Sequence, residues 1–534
     1  MKQFTWMKQD AVYSRADAAD TMSADIIIVG AGHAGTSAAR SAAEHGASVI
    51  VIEQQSDEKQ WVLGVGEIGH INSEWQNKHG VPGVDIDTFV NDWQLRTGNR
   101  SDYRLIRTYT EECGKAFDWF IEPLSGAEKD SIHPMLIPTS PHFAYELNGL
   151  RSWPGTPRMG IELMTKTLKK NQDIARNRGT KFFFDTTALQ LEKENNRVTG
   201  VYARDKDGTI HLYEAKKGVI LAAGDYSRNE EMCRDLLAET DDLVSEGCFT
   251  GHGWDGSGIR MGIWAGGRME PRSHAATGGN YSFPGFDIIG STATLRVNCH
   301  GERYSNEGFG THILAALPGA KQPDGMLWGI FDSNIFDEVT YQAANHAVFD
   351  YSDPKEIEKL DTALSKARSA HMEGKSSVDM RDKAGAVRPL VAADTLEELS
   401  ELLFESDTDR QTFLQTVKRY NELCKQGHDE DFGKARCLLH PIEKAPFYAC
   451  GNRKDSHKPG GQSLKILVTV SGLLIDSHQR VLGQDFEPIP GLYACGNNSG
   501  CRFGLQYTTS LPGQSISIAQ TLGRVLGREL AVQE

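Results

Sequence analysis

No stretch of the sequence approaches the roughly 18 apolar residues that a membrane-spanning helix needs. Residues Met1 to Asp20 mix charges with Trp6 and lack the apolar core of a signal peptide or anchor. No long Lys/Arg run occurs either, and 72 acidic against 57 basic residues leave a formal net charge of −15. Nucleic acid and anionic membrane are therefore poor partners, and the acidic balance reads as solubility. The nine cysteines are scattered without a single C-x-x-C, so no thiolate metal site, haem-attachment motif or ferredoxin-type cluster is spelled out. Their odd number suits reduced thiols. These absences predict a cytoplasmic chain with no metal site, and no internal repeat or low-complexity tract complicates its reading. With 534 residues, beyond the roughly 250 to 300 at which one core stops growing, two or more domains are expected.

What is present concentrates near the N-terminus. Ala24-Asp25-Ile-Ile-Ile-Val-Gly30-Ala-Gly32-His33-Ala34-Gly35, continuing through Ala39 and Gly46 to Val49 and Glu53, is a near-complete dinucleotide-binding fingerprint. A strand (Ile26 to Val29) precedes the glycines, an Ala-rich helix follows, and a second strand (Ser48 to Ile52) ends in an acid. Gly30 allows the tight turn, Gly32 the approach of a pyrophosphate, and Gly35 the close packing of helix on strand. The helix N-terminus offers N–H groups to phosphates, and Glu53 offers a carboxylate to a ribose hydroxyl, which disfavours a 2′-phosphate. The motif alone does not separate NAD from FAD. No second fingerprint in a strand-turn-helix setting follows for a nicotinamide.

Further on, Leu63-Gly64-Val65-Gly66-Glu67-Ile68-Gly69-His70 is too glycine-dense for a helix; it is either a loop laid against a flat ligand or a connecting turn. Residues 85 to 120 carry Phe89, Trp93, Leu105, Tyr109, Phe117 and Trp119 at helical spacings, predicting two amphipathic helices with a mainly core role for the aromatics. From Lys181 to Gly224 the pattern changes to short strands, with a hairpin turn at Asp207-Gly208. The last of these ends in Ala222-Ala223-Gly224, a second backbone passage near a ligand. Residues 270–470 mix Gly/Pro loops with a polar helical stretch, Asp394 to Gln426, whose apolar face is Leu396, Leu399, Leu403, Val417 and Tyr420; they read as an inserted second domain. Strand and loop character then returns around Gly472 to Asp476 and Gly491 to Gly496. A final helix is predicted from about Gln514 to Leu530.

Four segments together carry a resemblance: Gly30-x-Gly32-x-x-Gly35, Lys217-Gly-Val-Ile-Leu-Ala-Ala-Gly224, Val297-Asn-Cys-His-Gly301-Glu-Arg303-Tyr-Ser-Asn306-Glu307, and Pro490-Gly-Leu-Tyr-Ala-Cys-Gly496. On these the chain resembles, over most of its length, the fumarate reductase and succinate dehydrogenase flavoprotein family, which includes urocanate reductase, L-aspartate oxidase and ketosteroid Δ1-dehydrogenase. The resemblance implies an α/β fold: a Rossmann-like FAD-binding domain (1–269 and 471–534, with 1–23 an N-terminal extension) and an inserted α+β capping domain (270–470). It implies FAD as cofactor, and noncovalent FAD, because the Ser-His setting used for covalent attachment has no counterpart near residues 60 to 70. Cofactor contacts are expected from Gly30, Gly32, His33, Ala34, Gly35, Glu53, Gly64, Gly66, Glu67, Ala222, Ala223, Gly224, Gly496, Asn497, Ser510, Leu511, Gly513 and Ser515.

The family's chemistry is hydride transfer between flavin N5 and a substrate carbon, with proton transfer at the adjacent carbon. Arg303 matches a motif arginine expected to be either the proton donor or a substrate anchor; a guanidinium is ordinarily a permanent cation. Glu307 and Asn306 either orient Arg303 or satisfy a turn. His274 falls where the family has a substrate-binding histidine, without its Pro and Thr neighbours, and a polar surface-loop residue is the alternative. Two family elements are replaced: a carboxylate-gripping His-Thr-Met-Gly-Gly reads Val468-Thr469-Val470-Ser471-Gly472, and an Asn-Arg-Leu-Gly-Gly-Asn-Ser reads Thr509-Ser510-Leu511-Pro512-Gly513-Gln514-Ser515. Each lost charge-assisted contact costs about 1.5–3 kcal/mol, so fumarate is a poor substrate. Tyr507 is a candidate donor or acceptor and otherwise one more buried aromatic; Arg502, Glu307 and Thr469 are candidate substrate contacts. The expected reaction is reduction of an activated C=C bond in an enone, enoate or polyphenol-like molecule. Its alternatives are the reverse, ketosteroid-type dehydrogenation, and disproportionation as in isoflavonoid reductases that resemble the family. Besides the small-molecule substrate, the expected partner is a separate electron donor, either a protein or reduced flavin, or a second organic substrate. A flavin-carrying electron-transfer subunit and a hydratase or isomerase with structural flavin are the readings from other classes.

Overall fold

The computed structural model describes residues 4–9, 11–60, 66–135, 145–147, 150–153, 155–237, 244–247, 253–278, 285, 289–290, 292–309, 313–340, 354–381, 387–452, 464–505, 507 and 509–533. Two strands with unbroken apolar runs open the fold, β1 (Asp20–Val29) and β2 (Val49–Ile52). Successive side chains point to opposite faces of a sheet, so Ile26, Ile28, Val49 and Val51 enter one buried cluster while Ile27, Val29, Ile50 and Ile52 enter another. Both faces are covered, the condition under which a parallel strand is apolar throughout. The helix α1 (His33–Glu44) packs on the first face beside the C-terminal helix α2 (Gln514–Val532).

The remaining strands of this sheet are β3 (Lys181–Phe183), β4 (Thr187–Glu194), β5 (Arg197–Arg204), β6 (Ile210–Leu221), β7 (Arg480–Leu482) and β8 (Pro488–Ala494). Among the described residues the sheet has eight strands in the order β7-β8-β6-β1-β2-β3, with β5 on β6 and β4 on β5. The pairs from β8 through β6, β1 and β2 to β3 are parallel, the Rossmann-like arrangement. The β5–β6 hairpin turns at Asp207-Gly208 as the sequence predicts. β1 begins earlier than its apolar run: Asp20 to Ala24 pair with His211 to Ala215 on the outer half of β6, ahead of a register shift at Ile26. That polar half is mostly exposed on its solvent side, so hydrophobicity gave no sign of it. The N-terminal segment also folds back: Trp6 is buried in the main core and its indole N–H donates to Asp235 Oδ2 at 2.8 Å.

Two missing side chains set the spacing at the β1–α1 turn. Gly30 has φ +103°, and a Cβ there would lie 2.4 Å from the carbonyl oxygen of Ala222 on β6. A Cβ on Gly35 would lie 1.9 Å from the carbonyl oxygen of Gly30. The two predicted amphipathic helices form as Ile86–Arg96 and Tyr103–Phe120, capped by Asp85 and Asp102, and bury Phe89, Trp93, Leu105, Tyr109 and Phe117 as core.

The inserted region builds a five-stranded antiparallel sheet in the order Leu295–Val297, Trp328–Asp332, Phe447–Gly451, Val387–Ala393, Val378–Arg381. Period-2 alternation again divides the core. Phe331, Leu390, Ala392, Tyr448 and Cys450 pack with Leu360 and Leu364 of the helix Pro354–Met372. Ile330, Val391 and Ala449 pack with Leu399, Phe413, Val417 and Tyr420 of the helices Leu396–Leu403 and Asp407–Gln426. A three-stranded sheet of Val244–Gly247, Leu464–Thr469 and Ala276–Gly278 lies where the chain passes between the two larger sheets.

Because Gly35 has no room for a methyl group against the Gly30 carbonyl, Gly35→Ala is expected to cost about 1–3 kcal/mol by overpacking. Thermal unfolding followed by circular dichroism reads this as a lowered Tm; an unchanged Tm would show that the turn yields.

Candidate functional site

A cleft of about 1050 Å³, counting its open mouth, lies at the carboxyl ends of β1, β2, β6 and β8, where open α/β sheets bind ligands. Of the expected cofactor residues, Gly30, Gly32, His33, Ala34, Glu53, Ala222, Ala223, Gly224, Gly496, Asn497 and Ser515 line it. Gly35 sits behind the turn as a packing residue. Gly66, Glu67, Ser510, Leu511 and Gly513 are off the lining; Gly513 packs on Glu67, where a Cβ would lie 2.1 Å from the Glu67 carbonyl oxygen, while Gly66 faces Gly160 and Leu511 faces Gly69. Gly64 lies outside the described residues.

The turn itself is pinned through the peptide of Ala31. Its N–H donates to Glu53 Oε2 at 2.8 Å, and Glu53 Oε1 accepts the Gln55 N–H at 2.9 Å. Its carbonyl accepts from Thr36 Oγ1 at 2.8 Å, Gln60 Nε2 at 2.9 Å and Gln172 Nε2 at 3.1 Å. With that peptide held from both sides, the first turn of α1 starts at Gly32 with no side-chain cap and no acid, so its leading N–H groups are left for a ligand. α2 starts at Gly513, which offers no side-chain cap, and has no acid in its first turn, although the Ser515 N–H is taken by the Tyr507 hydroxyl. The cleft thus receives two positive helix ends and one buried carboxylate at the end of β2. This donor set fits a dinucleotide: the α1 end and the Gly30–Ala34 turn would hold the pyrophosphate, Glu53 a ribose, and Ser515 with Ile516 the far end beside α2.

Several lining residues escaped the sequence reading: Gln54, Gln60, Thr186, Asp225, Trp254 and Ser257. Trp254 has φ +54° and reaches over Gly224, where a Cβ would lie 3.0 Å from its ring. Asp225 directly follows the strand ending Ala-Ala-Gly and was legible as an acid at a ligand-facing strand end. Gln60 and Gln172 had no signal, since their role depends on a carbonyl far away in sequence.

The candidate catalytic residues divide sharply. Arg303 belongs to an ion cluster inside the cap: Nε and Nη2 donate to Glu307 at 3.0 and 2.9 Å, and Nη1 and Nη2 to Asp429 at 3.1 and 2.8 Å. Lys434 Nζ lies 3.4 Å from Glu307. Burial opposes these charges, yet Lys434 and Arg303 hold Glu307 below the usual carboxylate range, and the two carboxylates raise the Arg303 pKa further. The Arg303 donors are thus directed at the two carboxylates, and Arg303 is not among the residues that line the cleft. Glu307 orients it, and Asn306 joins a turn, accepting the Gly308 N–H and donating to Phe432 O.

His274 is a core residue, 1 % exposed, and not part of a surface loop. Nε2 lies 3.0 Å from the Glu270 carbonyl and Nδ1 3.0 Å from the Tyr226 hydroxyl. A carbonyl only accepts, so Nε2 carries the proton, and burial lowers the pKa of the ring so that it stays neutral. Tyr507 is buried, its pKa raised by burial, and its hydroxyl accepts the Ser515 N–H at 3.0 Å at the start of α2. Thr469 bridges Asp225 and the Tyr226 N–H.

Arg502 is different in kind. It is 0 % exposed. Nε and Nη2 donate to Ser499 O, and Nη2 also to Val470 O at 2.9 Å and to Asn497 Oδ1 at 3.3 Å. Nη1 has no hydrogen-bond partner among the described residues, and none of their carboxylates forms an ion pair with the guanidinium, although the Glu270 carboxylate is close enough to favour its charge. Burial lowers its pKa to about 10, which still leaves a cation at neutral pH, directly behind the cleft residue Asn497.

The sequence matches the FAD binding domain family over residues 25–516. It is 25% identical to a vinyl phenol reductase from Lactiplantibacillus plantarum, covering 95% of this chain and 96% of that protein. It is 24% identical to an NADH:acrylate oxidoreductase from Vibrio harveyi, covering 94% of this chain but 50% of that longer protein. A solved 3-ketosteroid-Δ4-(5α)-dehydrogenase from Rhodococcus jostii RHA1 shares the fold with a TM-score of 0.68 at 21% identity, over 96% of this chain and 97% of that one. The chain therefore belongs to the FAD binding domain family, and FAD is its cofactor.

Proposed function

We propose that this FAD-dependent oxidoreductase reduces a C=C bond conjugated to a single electron-withdrawing or phenolic oxygen function, an enone, enoate or hydroxystyrene-like molecule and not a dicarboxylate. The observation that carries the reading is Arg502. Burying a cation that no carboxylate hydrogen-bonds costs several kcal/mol. A guanidinium held in the core by carbonyl and amide oxygens, with the Glu270 carboxylate nearby but bonded to the Gly472 and Cys501 N–H groups and with Nη1 unclaimed, is therefore poised to receive an oxygen ligand. One such cation serves one oxygen function. The relatives named for vinyl phenol and for acrylate support this, since both molecules carry one C=C bond conjugated to one oxygen-bearing group.

Bound noncovalently, FAD supplies hydride transfer between its N5 and a substrate carbon. The chain's own part is to fix the reactants: the Ala31-pinned turn and the end of α1 hold phosphate, Asn497 on the cleft wall, backed by the Arg502 guanidinium, holds the polar end of the substrate, and the cap excludes water from the reacting carbons. A cation on that oxygen draws electron density out of the double bond and stabilises the charge that develops as the carbon is reduced. Electrons enter from a separate donor. In support, the sequence carries one dinucleotide fingerprint in a strand-turn-helix setting.

The direct test is to reduce the bound flavin anaerobically and add 4-hydroxystyrene, acrylate, a neutral cyclic enone and fumarate separately. Rapid reoxidation by one of the first three, with fumarate inert, is the expected outcome; rapid reoxidation by fumarate alone would overturn the substrate class. Arg502→Met should keep yellow protein but slow substrate-driven reoxidation about ten- to a hundredfold, the loss of one charge-assisted hydrogen bond. Arg502→Lys should recover part of it.

Arg303→Ala separates structure from chemistry. It strands two buried carboxylates and is expected to destabilise the cap by about 3–5 kcal/mol, visible as an early unfolding transition. A variant of wild-type stability that had lost turnover would restore Arg303 as a proton donor.

A further inference from the structure

One carboxyl on the cleft wall is used by nothing described so far. Asp225 lines the cleft and is 1 % exposed. Its bonds from the Ser227 N–H (2.7 Å), the Thr469 N–H (3.3 Å) and the Thr469 hydroxyl (3.4 Å) all arrive at Oδ1. Thr469 Oγ1 accepts the Tyr226 N–H at 3.1 Å, which directs its own proton to Asp225. No described residue makes a hydrogen bond to Oδ2, and no described cation pairs with the carboxyl. A buried carboxyl with one oxygen saturated by donors and the other unclaimed beside a ligand cleft is shaped to donate from that second oxygen once protonated.

We propose that Asp225 holds FAD as a neutral acid, its Oδ2 hydroxyl donating a hydrogen bond to an acceptor atom of the cofactor, so that the cofactor and one proton bind together. Burial without a counter-ion pushes the carboxyl up to about 6. The sign follows directly. Below that pH the acid form offers a donor; above it the ionised form offers none and adds a negative charge to a cleft that must accept a pyrophosphate. The titratable neighbours on its own side do not reproduce this. Tyr226 and Cys233 are held neutral by burial, and His274 and Glu270 lie beyond Tyr226, engaged with each other and with backbone. On the other walls stand Glu53, bonded to the Ala31 and Gln55 N–H groups, and His33, whose protonation would also favour phosphate at low pH.

The experiment is FAD binding to the apoprotein, read as quenching of FAD fluorescence, across pH 5 to 8 for the wild type, Asp225→Asn and Thr469→Val. The proposal rests on FAD occupying this cleft, and saturable quenching by the wild type at the acid end tests that reading separately. The wild-type Kd should be flat at the acid end and rise about tenfold per pH unit once the carboxyl ionises, the slope for uptake of one proton. Asp225→Asn, whose amide N–H replaces the acid proton, should bind with a Kd that no longer changes with pH. A flat wild-type profile overturns the proposal, and so does an Asp225→Asn profile that keeps the wild-type slope, which would assign the dependence to His33. If Asp225→Asn fails to fold, Thr469→Val decides: losing the hydroxyl that stabilises the ionised form should move the break to higher pH, and an unmoved break overturns the proposal.

Discussion

The peptide of Ala31 is the constraint on which the site depends. Its N–H and carbonyl are both bound, to Glu53 on one side and to Thr36, Gln60 and Gln172 on the other. A turn between a buried strand and a helix has many ways to relax, and each relaxation would rotate the first N–H groups of α1 away from the cleft. Binding the peptide at both ends removes those alternatives. The same ties connect three parts of the chain, the acid that ends β2, the loop at Gln60 and the helix Gly160–Asn177, so the phosphate-binding geometry and the first domain's packing are one structure. Gly30 and Gly35 complete it by letting β6 and α1 occupy the volume their side chains would take.

Two buried arginines differ in how their charge is matched. Arg303 shares its donors among the carboxylates of Glu307 and Asp429, and its guanidinium lies against Phe432 and Tyr420. Charge, hydrogen bonds and aromatic faces are all matched inside the cap, and such a group has little left for a ligand. Arg502 has the same burial and no carboxylate partner, only carbonyl and amide oxygens. A protein that keeps an incompletely matched cation in its core gives up stability there, and on the proposed reading the unclaimed Nη1 is where that energy is recovered on binding. Asp225 is the acidic counterpart. Thr469 contacts Asp225 and the adjacent Val470 carbonyl contacts Arg502, so both incompletely matched groups border one short piece of chain between the cofactor cleft and the cap.

Local pattern made much of this legible. The fingerprint glycines, the apolar runs of β1 and β2, the helices at 86–96, 103–120 and 514–532, and the cleft positions from Gly30 to Glu53 and from Ala222 to Gly224 all follow from residues close in sequence whose spacing reports the geometry. The single helical stretch expected over Asp394 to Gln426, by contrast, is two helices, Leu396–Leu403 and Asp407–Gln426. Arg303 was legible as a motif member, but the motif carries no information on whether Asp429, far along the chain, neutralises it. His274 was visible only as a histidine in a polar stretch; its burial against Tyr226 is a tertiary fact. Gln60, Gln172 and Trp254 carried no local signal, because an amide or an indole becomes a site residue only through what folds against it.

By itself the sequence determined the α/β dinucleotide-binding unit and the position of the phosphate-binding turn, because apolar strand runs, glycine at crowded backbone and an acid at a strand end are short-range requirements; FAD in particular was legible only through the family resemblance. Tertiary structure alone decided which charges are spent and which are available. That depends on partners tens to hundreds of residues apart and on burial, which turns the same arginine or aspartate into a neutralised scaffold in one place and a ligand-facing group in another.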